Sequence, residues 1–179
     1  MKPIGPLMVE HRLTDRMLGL IRQEIPTLRK GAAGVDIGFA GKVVDFFRTY
    51  VDLCHHGKEE DILFKTLAGK EMSSEHKRIM DELIEEHRTA RDVINNLGKA
   101  KDPHSGGNKS SEILTRYEEI VAIYPPHIDK EDKHFFFPCL QYLSREEQDR
   151  MLAEMMDFDA KLFHVTYTAL IESLEKKRF

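Results

Sequence analysis

Two short patterns each occur twice in this chain, in alternating order, and any fold it adopts has to account for that. The run His55-His56-Gly57-Lys58-Glu59-Glu60-Asp61-Ile62-Leu63-Phe64 aligns with His127-Ile128-Asp129-Lys130-Glu131-Asp132-Lys133-His134-Phe135-Phe136, sharing H-x-x-K-E-[ED]-x-x-[LF]-F. Glu10-His11-Arg12 recurs as Glu86-His87-Arg88. The order EHR, HxxKE, EHR, HxxKE describes a two-helix unit used twice.

Apolar residues recur at helical spacing almost throughout, with no alternating strand pattern. The spacing predicts a first helix from about Pro6 to Leu28, stopped by the KGAAG run at Lys30–Gly34. A second helix is expected from an Asp36 N-cap to about Leu67, and a third from Ser73 or Ser74 to Leu97, with Gly69 and Gly98 as stops. The polar stretch Asp102–Ser111 reads as a loop. A fourth helix covers roughly Glu112 to Phe137, and Pro125-Pro126 should kink or break it, because two backbone donors are missing there. Ser144-Arg145-Glu146-Glu147 matches a capping box opening a fifth helix to about Lys176. Short connections and one compositional regime predict an all-α chain. The expected architecture is an antiparallel up-down four-helix bundle at about 6–139 with an additional C-terminal helix at about 144–177, all one domain over 1–179.

Residues four apart share a helix face, so His55 can reach the same region as Glu59, and His127 the same region as Glu131. Counting residues to the helix ends places His11, His55, His87 and His127 at one depth, within about a turn at about 1.5 Å rise per residue. Imidazole with carboxylate suits borderline first-row metals. The expected metal ligands are therefore His11, His55, Glu59, His87, His127 and Glu131. Two metals sharing two carboxylates, with two histidines each, would keep open positions for a small molecule. His56 points about 100° from His55 on a regular helix and ranks behind it. His76 lies too far along its helix, and His104 falls in the polar loop. His164 is compatible with core, surface or a place behind the ligands. A carboxylate-rich alternative needs two Glu-x-x-His motifs, and only Glu131–His134 has that spacing at a plausible core position.

These residues resemble the hemerythrin-like (HHE cation-binding) domain family. CHHGKEEDILF and HIDKEDKHFFFP are similar to its helix-two and helix-four signatures, and the EHR triplets match its single-histidine positions on helices one and three. The resemblance spans roughly Glu10 to Pro138. It implies a four-helix bundle with two Fe ions, a non-haem di-iron centre bridged by carboxylates and an oxo or hydroxo group, on the six ligands above. Zinc and manganese share the same ligand preferences. The oxygen carriers of invertebrates have a second helix-three histidine where this chain has Arg91, and an aspartate where it has Asp132. Glu131 is preferred to Asp132 because Glu59 occupies the same place in the repeat.

The resulting expectation is a di-iron protein that binds or senses O2, NO or peroxide. Peroxide decomposition or iron–sulfur-cluster repair is the enzymatic alternative, and a zinc-stabilised interaction module the structural one. The formal charge of −4 recommends neither nucleic acid nor an anionic membrane as partner. The apolar runs are far shorter than a membrane span, and the start of the sequence lacks a signal-peptide pattern. Cys54 and Cys139 are too few for a disulfide framework, so a cytoplasmic location is expected. The fifth helix, with Met151, Met155, Met156, Phe158, Leu162 and Phe163, covers the bundle or serves a homodimer or partner.

Overall fold

The computed structural model describes residues 2–31, 34–101, 109–159 and 163–177, and no strand occurs among them. Most of the polar loop, with His104, lies outside the described residues, as does Leu162.

Helix α1 (Ile4–Lys30) buries Leu7, His11, Thr14, Leu18, Ile21, Ile25 and Leu28, a stripe at three- and four-residue spacing. It ends on Gly31, whose φ of 61° is left-handed and whose N–H reaches the Leu28 carbonyl. Helix α2 (residues 37–68) opens at Asp36, whose carboxylate accepts the Phe39 N–H at 2.8 Å. It is not a regular helix. An α-helical start, Ile37–Asp45, gives way to π-helical stretches at Phe46–His56 and Glu59–Phe64 before a last α turn at Lys65–Ala68.

Helix α3 (Ser74–Ala100) is capped by Ser73. It runs through Gly98, which is therefore not the stop expected from the sequence. A Cβ there would meet the Arg48 guanidinium at 2.8 Å, so this glycine admits a side chain from α2. Helix α4 begins as Lys109–Lys130, continues as π-helical Glu131–Phe135 and ends with Phe136–Cys139. The expected break at Pro125-Pro126 is absent, since both prolines lie inside the helix. The carbonyls that lose their donors belong to Val121 and Ala122, which are half-buried and exposed, so water can serve them.

The capping box holds: Ser144 Oγ accepts the Glu147 N–H at 3.1 Å, and Glu147 accepts the Ser144 N–H at 2.8 Å. Beyond it the expected fifth helix is described as α5 (Arg145–Asp159) and α6 (Phe163–Lys176). α6 packs on α1 and on the π-helical part of α2, and α5 on the second π stretch. Of the apolar residues singled out there, Met151 and Met155 are buried, whereas Met156 faces solvent. Both cysteines are buried, and neither forms a disulfide among the described residues.

The helices enclose two apolar cores rather than one. The first gathers Leu18, Ile21, Phe47, Ile94, Ile120 and Ile171 with their neighbours. The second holds Ile4, Leu7, Leu63, Leu83, Phe135 and Met155 with theirs. Between them lies a belt of buried polar side chains: Glu10, His11, Thr14, His55, His56, Lys58, Glu59, His87, His127 and Glu131.

Gly98 offers a direct check on its own explanation. Alanine in a helix interior is favoured over glycine by about 0.5–1 kcal/mol, and the obstructing atom is the tip of a flexible, exposed arginine. Gly98→Ala should therefore be neutral or stabilising by up to that amount in chemical denaturation. A loss above about 1 kcal/mol would show that Arg48 cannot yield.

Candidate metal centre

The polar belt is where the four duplicated segments meet. All six residues expected as ligands lie within it, each no more than 4% exposed. Their nitrogen and oxygen atoms fall into two groups, His11, His55, Glu59 and Glu131 in one and His56, His87 and His127 in the other, with donor atoms inside each group within 4.8 Å of one another. The second group contains a residue the sequence had ranked low.

The two glutamates join the groups. Glu59 turns Oε1 to His55 Nε2 at 3.5 Å and Oε2 to His87 Nε2 at 3.3 Å. Glu131 turns Oε2 to His11 Nε2 at 3.0 Å, and Oε1 to His127 Nε2 at 3.3 Å and His87 Nε2 at 3.7 Å. Donors bound side by side to one ion at about 2.1 Å lie roughly 3 Å apart, so these separations match shared coordination. None of the four carboxylate oxygens has a hydrogen-bond partner, nor do His56 Nε2, His87 Nε2 or His127 Nε2. Buried polar atoms normally find partners, and so many orphans facing one another define a place for cations.

Each histidine is held from behind. His11 Nδ1 meets Asp132 at 2.9 Å, His55 Nδ1 meets Glu10 at 2.9 Å, His87 Nδ1 meets Glu60 at 2.7 Å and His127 Nδ1 meets Glu86 at 2.9 Å. A carboxylate behind a ligating imidazole fixes its tautomer with Nδ1 as donor and leaves the Nε2 lone pair inward. Two such lone pairs, on His11 and His55, face each other at 3.0 Å. That is repulsive unless a proton or a metal intervenes.

The lysine of each repeat completes the scheme. Lys58, fully buried, donates to Glu10, and Lys130 donates to Glu86 and, at 3.1 Å, to Glu82. The contacts run α1 to α2 through Glu10, α2 to α3 through Glu60, α3 to α4 through Glu86 and α4 to α1 through Asp132. They form a closed ring around the centre. Glu131 is fully buried at the centre and Asp132 is outside it, on His11. Sequence reasoning treated Asp132 only as a rival ligand and gave Glu10, Glu60, Glu86 and the lysines no role. The signal was present, because those letters repeat along with the ligands.

The remaining candidates fall elsewhere. His76 bonds the Tyr142 hydroxyl, His164 bonds Tyr50, and His134 is exposed, which removes the Glu-x-x-His alternative. Arg91 turns to Asp52 and Glu60, at 2.6 and 2.7 Å. Tyr124, Thr14, Val51 and Ile128 line a narrow cleft against His11, His55, His56 and His127.

In the metal-free protein protons take the place of the ions. Burial disfavours charge on His11, but Asp132 and Glu131 outweigh it and raise its pKa to about 10. Burial opposes charge on His87 likewise, while Glu131, Glu59 and Glu60 raise its pKa to about 11. Burial pushes the Glu131 carboxyl up, yet His127 and His11 bring it well below the ordinary range.

Groups whose folded pKa is raised stabilise the fold below their unfolded value and lose that contribution as pH climbs towards the folded one. The melting temperature of metal-free protein should therefore fall between about pH 6.5 and about pH 10. Metal-loaded protein, its nitrogens occupied, should show a flatter profile in the same calorimetric series. Glu10→Gln removes the charge behind His55 and beside Lys58, and should weaken metal binding by about 10- to 100-fold in chelator competition.

The sequence model of the hemerythrin family, described as the hemerythrin HHE cation binding domain, matches residues 2–136 of this 179-residue chain. The chain belongs to that family. No curated protein and no solved structure matches it.

Proposed function

We propose that this member of the hemerythrin HHE cation-binding family is a non-haem di-iron protein that binds or senses O2, NO or peroxide. One observation carries the reading: each central carboxylate divides its two oxygens between the two histidine groups. A structural site for one ion would close four donors around a single point. Here two carboxylates span two points, which is the arrangement of a dinuclear centre.

The fit of residues to metal is good on chemical grounds. Imidazole and carboxylate together suit iron, and the ring of outer carboxylates makes each histidine a stronger donor. His11 and His55 would hold one ion, His87 and His127 the other, with Glu59 and Glu131 shared. Iron in such a site supplies reversible redox change and affinity for small oxygen- or nitrogen-containing ligands. The chain's own part is to keep the place dry and narrow. Val51 and Ile128 give the cleft beside these histidines apolar walls, and Tyr124 and His56 line both it and a second cavity of about 100 Å³. Burial holds the Tyr124 phenol protonated well above its ordinary range. A cleft this narrow excludes organic substrates.

Anaerobic loading with ferrous iron should give two irons per chain, and exposure to oxygen a new near-ultraviolet charge-transfer band. Glu59→Ala and Glu131→Ala should each abolish the band and lower the iron content, because each removes donors from both positions. Zinc alone in freshly purified protein, with no spectral response to oxygen, nitric oxide or peroxide, would overturn the proposal in favour of a structural metal.

A further inference from the structure

We propose that His56 supplies a third histidine nitrogen to the metal held by His87 and His127, which makes the two metal positions unequal and leaves the open one beside His11 and His55. This rests on the dinuclear reading above and adds a ligand to it.

On a regular helix two adjacent side chains diverge by about 100°, which turns one of His55 and His56 away from the centre when the other points straight at it. The helix here is not regular. The π-helical stretch Phe46–His56 has a wider turn, and both rings end buried on the inner side, at 2% and 1% exposure. His56 then repeats the pattern of the other histidines. Its Nδ1 faces a carboxylate, Asp52, at 3.3 Å, and its Nε2 is buried without a hydrogen-bond partner. Asp52 is itself anchored by Arg91 at 2.6 Å.

That orphan nitrogen belongs with the nitrogens of His87 and His127, all within 4.8 Å of one another. Two donors on one ion at about 2.1 Å can lie up to about 4.2 Å apart, so a group this compact is close to the spread that one ion accepts. The ring lies against His87 with centroids 3.8 Å apart and has its edge towards His127, 6.0 Å away. A core histidine retained only for packing would have both nitrogens satisfied.

The internal repeat shows where the symmetry ends. His56 aligns with Ile128, so the second unit has an apolar side chain where the first has a donor. Ile128 lines the cleft together with His11, His55, His56 and His127. An ion held by His87 and His127 would thus have a third nitrogen where an ion held by His11 and His55 would have only the hydrocarbon of Ile128. An incoming ligand is directed to one metal, not to either.

The test compares full-length wild type, His56→Leu and His56→Ala, using chelator competition with ferrous iron and azide titration of the oxidised iron-loaded protein. Wild type should take up two irons and one azide. In His56→Leu one of the two iron affinities should fall at least tenfold while the other stays within twofold. In His56→Ala azide should rise to two per chain, and added imidazole should restore both the affinity and the single-azide stoichiometry. A structural role for His56 would not respond to imidazole. If His56→Leu does not fold by circular dichroism, the imidazole titration of His56→Ala decides alone. Both affinities unchanged in a folded variant, or no effect of imidazole, overturns the assignment. Wild type taking up fewer than two irons would instead overturn the dinuclear reading, a result visible before any variant is made.

Discussion

Everything else in this protein is arranged around two carboxylates, Glu59 and Glu131, fully buried in the middle of a helix bundle. An ionised carboxylate removed from water costs several kcal/mol unless charge and hydrogen bonds replace the solvent. No hydrogen bond reaches their oxygens, and the groups facing them are histidine nitrogens. The apolar cores on either side exclude water from this belt and raise the cost of leaving it uncompensated. Cations bound between the carboxylates and the imidazoles resolve that conflict. The π-helical stretches at both HxxKE segments belong to the same solution, since they bring the ligands inward at the expense of regular α-helical bonding.

The two halves of the chain solve one problem twice, then diverge where function needs a difference. Glu10 and Glu86 do the same work for His55 and His127, as do Asp132 and Glu60 for His11 and His87. The differences are local. Lys58 is fully enclosed, whereas its counterpart Lys130 is a quarter exposed. Asp52 aligns with Tyr124, and His56 with Ile128. The first unit is polar at these two positions, and the second gives the walls of the cleft. A symmetric frame with asymmetric lining is what the proposed dinuclear centre needs if its two positions are to differ.

Much of this was legible in the residues. The helices, the Asp36 and Ser73 caps and the capping box at Ser144 are local effects that a short window contains. The meeting of His11, Glu59, His87, His127 and Glu131 followed from counting residues to helix ends. What escaped depends on geometry that counting takes for granted. His56 was ranked behind His55 by assuming 100° per residue, and the π-helical stretch makes that assumption fail at this position. Gly98 was read as a stop because nothing in its own neighbourhood in sequence announces Arg48, fifty positions earlier. The Pro125-Pro126 pair was read as a kink or break because sequence alone does not say that the affected carbonyls face water. The roles of Glu10, Glu60, Glu86 and the lysines lie between helices, and only their duplication hinted at them.

The ring of contacts around the centre also sets an order of assembly. Three of its links join segments that follow one another along the chain, at separations of 45, 27 and 41 residues. The fourth, His11 to Asp132, spans 121 residues. During synthesis the first three can form as each helical hairpin emerges, but Glu131 and the closing link arrive only with the last turns of α4. A nascent chain lacking that turn has two loose histidine clusters and no shared second carboxylate. Completion of the cation site is therefore a step that follows translation of nearly the whole bundle, and a ribosome stalled before residue 131 would carry a chain without its second central carboxylate.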